Sequence, residues 1–148
     1  MPNKLPLYLI IGFIILLTLL VTLGLISQLR IFEMASPSME PLIHGRTAPS
    51  SHDGDLVLVS KWINSDKLIK GDLVLVTFTN DNQNVKTFLM IEKCKGDYYV
   101  DPKKPSIPIR IPDNYFYLSG MNSNTIDSQY IGLFQSSQIL GKVIKVFH

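Results

Sequence analysis

Apolar residues crowd the front of the chain and alternate with polar ones behind it. Between Lys4 and Arg30 lie about 25 positions without a charged residue. A helix over that stretch reaches roughly 37 Å at about 1.5 Å per residue, enough to cross a hydrocarbon core of about 30 Å with some tilt. A helix also pairs every backbone polar group internally, which lipid demands. Gly12 and Gly24 are compatible with it, since glycine is common in membrane helices. The alternative is a cleaved secretory signal, whose apolar core normally runs about 7–15 residues and ends in small residues. Here the run is longer and closes on Ser27-Gln28-Leu29-Arg30, which favours a retained anchor. Lys4 precedes the span and Arg30 and Arg46 follow it, so the positive-inside bias is nearly balanced and does not orient it.

Behind the span the pattern is strand-like. "GDLVLV" occurs twice, at 54–59 and 71–76, each time as a Gly-Asp turn running into β-branched and leucine positions. Further strands are expected at 85–94, 97–100, 107–111, 115–118 and 139–147, with turns at 80–82, 96–97, Pro102, Pro105, 112–113 and Gly120. Pro105, Pro108 and Pro112 put their segment on an edge or in a loop. No amphipathic helix of convincing length interrupts the region from 60 to 148, so the expected fold is an all-β sandwich or barrel-like domain. The expected division is an N-terminal segment with its transmembrane helix over 1–30 and one β domain over 31–148.

Composition removes several classes of function. Net charge is +2 in 148 residues, too little to indicate nucleic acid, and no basic run is interleaved with aromatics. Cys94 is alone, which leaves no disulfide framework within the chain and no cysteine-based metal site. His44, His52 and His148 lack metal-ligand spacing and read as surface or loop residues. No metal or cofactor is expected.

The remaining chemistry lies in "ASPSMEPLI", residues 35–43. A serine nucleophile must hand its proton to a base. The candidates are the histidines, the acids, or a lysine kept neutral by an apolar setting, because desolvation disfavours the charged amine. In an extended "VKTFLMI", Lys86 shares a face with Phe88 and Met90, while Val85, Thr87, Leu89 and Ile91 take the other. Lys86 therefore suits the base best, or else snorkels to water from a half-exposed strand. Lys93 and Lys95 sit with Glu92 in a charged, solvated strand end.

In order, the boxes "SPSMEP", the two Gly-Asp strands, the Val-Lys strand and "SGMNSNTIDSQYIG" resemble the type I signal peptidases, membrane-anchored proteases with a Ser/Lys dyad. Their Ser-x-Ser-Met-x-Pro box is matched by Ser36-Pro37-Ser38-Met39-Glu40-Pro41. The resemblance spans about residues 30–147. It implies a signal-peptidase-like β domain on a single transmembrane helix, with Ser38 as nucleophile and Lys86 as general base and later general acid. It also implies that Ser36 joins the Ser38 N–H in an oxyanion hole, that Thr125 hydrogen-bonds and aims the lysine, and that Asp127 supports the loop. Lys93 is the alternative base, because Lys86 precedes Gly96-Asp97 by ten positions, three more than the family lysine does.

Four positions depart from the family pattern: Thr87, Ser123 and Gln129 stand where arginine is usual, and Met121 where aspartate is. The last box is one residue short, as in the conjugative-transfer maturation peptidases of the same superfamily. The resemblance further implies a location on the outer face of the cytoplasmic membrane and, as partners, membrane lipid and secretory precursors cut after small-x-small sites. Segments 32–36 and 83–85 would take the precursor as an added strand. Eight residues separate Arg30 from Ser38, at most about 28 Å of chain, so the nucleophile stays close to the lipid where a precursor's own apolar segment would present its cut site. A non-catalytic, membrane-tethered β scaffold is the reading from a different class.

Overall fold

The structure, a computed structural model, describes residues 5–48, 50–101 and 107–148; Lys4, Pro102 and Pro105 lie outside them. Helix α1, Leu5–Ser27, is 23 residues long, about 34 Å at 1.5 Å per residue. Its window Tyr8–Ser27 has a mean hydropathy of 3.0 and none of its residues is buried. The polar residues along it are satisfied locally: the hydroxyls of Thr18, Thr22 and Ser27 donate to the carbonyls of Ile15, Leu19 and Gly24 at 2.7–2.8 Å. The helix is long and apolar enough to cross a membrane.

The rest of the chain is mostly β. Among the described residues nine strands follow: β1 Leu29–Glu33, β2 Leu56–Ser60, β3 Leu73–Asn80, β4 Gln83–Lys93, β5 Tyr98–Val100, β6 Pro108–Arg110, β7 Tyr115–Ser119, β8 Phe134–Gln135 and β9 Ile139–Phe147. Seven form one antiparallel sheet in the order β1-β2-β9-β3-β4-β7-β8, and β5 pairs with β6 separately. Both "GDLVLV" segments are strands, each starting directly after its Gly-Asp pair. The second runs on to Asn80 because Asp81 and Asn82 take positive φ (47° and 61°) and close a tight hairpin into β4. The strand expected at 107–111 is a three-residue edge strand. Elements not expected include β1, β8 and α2, Ser128–Ile131, a single turn capped by Asp127. β1 also starts at Leu29, inside the segment assigned to the span.

Period-2 alternation makes the cores. Val74 and Val76 of β3, with Leu89 and Ile91 of β4, pack with Phe116, Leu118 and Phe134. Their neighbours Leu75 and Phe88 point the other way, onto Met34, Met39, Ile43, Val57 and Val59. Consecutive residues of one strand face opposite sides, so the two clusters lie on the two faces of the sheet.

The strand ends position the site. β9 pairs with β3 only from Val74 to Val76. β7 pairs with β4 only from Met90 to Lys93. The remainder of the β3–β4 hairpin, with Thr77 opposite Lys86 and Phe78 opposite Val85, projects beyond both. Among the described residues, no strand pairs with the outer edge of β4 over 83–89.

Candidate active site

A 3₁₀ turn, Pro37–Met39, occupies the edge of β4 that β7 leaves free. Pro37 takes its first position, where the missing N–H costs nothing. The side chains of Met39 and Ile43, both fully buried, plug the turn into the second core cluster. The N–H groups of Leu42 and Ile43 donate to the Met39 carbonyl at 2.9 and 3.0 Å. Gly45 is required behind it, since a Cβ there would lie 2.6 Å from the Ser36 carbonyl carbon.

Ser38 is buried, and its carbonyl oxygen accepts three donors: the N–H of Met121 at 3.0 Å, the N–H of Asn122 at 3.2 Å and the Thr125 hydroxyl at 3.1 Å. The loop after β7 thus clamps the serine turn onto β4. Asp127 holds that loop in turn. It is buried; its Oδ2 accepts from the Gly120 N–H at 3.2 Å and its Oδ1 from the Gln129 N–H at 2.8 Å. Backbone amides therefore hold both carboxylate oxygens of Asp127. Ser128, fully buried, ties the same turn to β7 by accepting the Leu118 N–H at 2.8 Å.

The partners of Ser38 Oγ among the described residues are two hydroxyls and a carbonyl. Ser36 donates to it at 3.1 Å and Thr87 at 3.2 Å, while Ser38 itself donates to the Phe88 carbonyl at 3.4 Å. A cavity of about 270 Å³ opens beside them, lined by Ser36, Ser38, Lys86 and Thr125 and walled on its apolar side by Phe78, Val85 and Ile126.

Four of the five expected residues therefore share one cavity, and Asp127 supports its rim. Two details differ from expectation. Lys86 is exposed rather than enclosed by apolar groups. It shares a sheet face with Phe88, but it stands on the projecting part of the hairpin, beyond the last partner of β9, where among the described residues no strand lies over it. Thr125 meets the Ser38 carbonyl instead of the lysine, because the loop clamp brings its hydroxyl to the turn's backbone. Lys93, the alternative base, lies seven positions further along β4, roughly 23 Å at about 3.3 Å per residue. Its amine donates to the Tyr98 carbonyl at 3.0 Å and lies over the Tyr117 ring.

Thr87 was not foreseen as a site residue. Alternation alone puts it on the face opposite Lys86, and only the turn lying across the open edge of β4 brings its hydroxyl to Ser38. A second cluster was equally hidden: His44 and His148, far apart in sequence, both meet Asp55.

No protein-family model matches the chain, and no curated protein sequence matches it.

Proposed function

We propose that this chain is a membrane-anchored serine endopeptidase of the signal peptidase I type, removing leader peptides from exported precursors with Ser38 as nucleophile and Lys86 as base. The observation that carries the reading is the meeting, at one residue, of two boxes more than 80 positions apart. The turn 36–41 presents Ser38, and the loop 120–128 grips its carbonyl with three donors. Both open onto a cavity that also holds a lysine.

A precursor would lie along the free edge of β4 at 83–85 as an added strand, its main chain supplying the missing ladder hydrogen bonds. Small side chains near the cut would suit a cavity of about 270 Å³. For attack, the Lys86 amine takes the place of the Phe88 carbonyl as acceptor of the Ser38 hydroxyl and removes its proton. The Ser38 N–H and the Ser36 hydroxyl stabilise the tetrahedral oxyanion, donors of a kind each worth roughly 3 kcal/mol. The protonated amine then delivers its proton to the departing amine of the mature chain, and water hydrolyses the acyl-enzyme. Helix α1 keeps enzyme and precursor in one layer, which raises their effective concentration.

The test is cleavage of a leader-bearing precursor by the full chain in detergent, with the new N-terminus sequenced. Ser38→Ala abolishes the product if the proposal holds, and undiminished cleavage refutes it. One observation favours a second reading, a non-catalytic scaffold: the partners of Ser38 Oγ are neutral hydroxyls and a carbonyl. That reading predicts that Ser38→Ala and Lys86→Ala still restore a deletion strain.

A further inference from the structure

Asp55, His44 and His148 form a compact group away from the serine turn. The His44 Nδ1 lies 3.3 Å and the His148 Nδ1 2.9 Å from Asp55 Oδ2. The three ligand-type atoms are all within 4.8 Å of one another. The two imidazoles are nearly perpendicular, at 77° with centroids 6.4 Å apart. Two ligands on one zinc-like ion, each at about 2.0–2.1 Å with an angle of roughly 90–110° between them, sit about 2.9–3.4 Å apart. Both histidine–aspartate distances fall in that interval.

Sheet register explains the meeting. Leu56 pairs with Phe147, so Asp55 and His148 are the next residues along the same pair of strands. His44 is brought in by its own backbone: its N–H donates to Asp55 Oδ2 at 2.9 Å, and its carbonyl accepts the Asp55 N–H at 3.0 Å. The Met34 N–H donates to the Asp55 carbonyl at 2.9 Å. The carboxylate is thus buried and fixed, while the two imidazoles are 63% and 64% exposed. Exposed rings are free to turn, so the imidazoles can adjust about an ion.

We propose that His44, Asp55 and His148 bind a divalent ion of the zinc class, leaving one position open to water. Such an ion joins three elements: the loop that follows the serine turn, the start of β2 and the end of β9. Since Met34 and His44 bracket the 3₁₀ turn of Ser38, the ion braces the base of that turn. The inference stands on the cluster's geometry and does not require the protease reading.

The test uses the full chain in detergent, purified without a histidine tag and stripped with a chelator. Co²⁺ is titrated in while visible absorption is followed, and Zn²⁺ then competes. The expected result is one ion per chain, a raised melting temperature, and an affinity at least about tenfold weaker in His44→Ala and in His148→Ala. His52→Ala, which lies against Glu33 outside the cluster, leaves binding unchanged. Far-UV circular dichroism confirms that each variant is folded, and the other single variant serves if one is not. The proposal is overturned by an absence of saturable binding below about 100 μM, or by stoichiometry and affinity that survive both substitutions.

Discussion

Replacing Gly120 with alanine should damage the serine turn from a distance. Gly120 has no unusual φ, so the effect is purely steric. A Cβ there would lie 2.5 Å from Thr125 Cβ and 2.6 Å from its Oγ1. Because the Cβ itself is struck, no rotation of Thr125 relieves the contact; the backbone of the 120–125 loop must move. Overpacking of this kind costs about 1–3 kcal/mol, and the displaced Thr125–Ser38 hydrogen bond adds about 1 kcal/mol. A loss of about 2–4 kcal/mol results. With about 118 residues beyond Arg30, this lowers the melting temperature by roughly 8–16 °C. The assay is thermal unfolding of the full chain in detergent, followed by circular dichroism in the β region, beside Thr125→Ala. That variant loses the hydrogen bond but not the Cβ, so it costs about 1 kcal/mol, and it does not rescue Gly120→Ala when the two are combined. A Gly120→Ala chain as stable as wild type, or one restored by Thr125→Ala, would refute the claim that the loop is packed against the serine turn in this way.

Other consequences follow from different parts of the fold. Met39→Ala, at a fully buried position beside Ser38, should lower stability by about 2–5 kcal/mol, whereas Met39→Leu should cost less than about 1.5 kcal/mol; guanidinium unfolding separates them. Gly132→Ala should cost about 1–3 kcal/mol through backbone strain alone, since its φ is 95° and its surroundings are open; the same melt measures it. The Arg46 guanidinium beside Glu33, with His52 on the same oxygen, lowers the Glu33 pKa from 4.5 to about 2. A depressed carboxylate pKa stabilises the fold above the unfolded value and loses that contribution as pH falls towards 2, so Glu33→Gln should flatten the stability–pH curve between about 4.5 and 2.

The apolar front and the period-2 strands were legible because both are local patterns. Twenty-three uncharged, mostly apolar positions can be nothing but a long helix if they cross lipid, and Val57/Val59 or Leu89/Ile91 announce a buried face by alternation. The serine box was legible as chemistry, since Ser36, Pro37 and Ser38 stand side by side. What could not be read was decided by where strands stop pairing. Lys86 looked enclosed because Phe88 and Met90 share its face; its exposure follows from β9 releasing β3 at Val76, a fact of register between distant segments. Thr87 reaches Ser38 only because β7 releases β4 at Met90. The His44–Asp55–His148 cluster depends likewise on Leu56 meeting Phe147, which no spacing in the sequence announces. The α2 turn escaped notice because a four-residue helix leaves no periodicity.

The central claim is that Ser38 and Lys86 act together on a precursor, and its most direct test is the cleavage rate measured from neutral to alkaline pH. The comparison runs across wild type, Ser38→Ala, Lys86→Ala and Lys93→Ala in detergent. The account predicts product from wild type, none from Ser38→Ala or Lys86→Ala, and a near-normal profile for Lys93→Ala. Cleavage that persists in Lys86→Ala with the wild-type pH profile would contradict it.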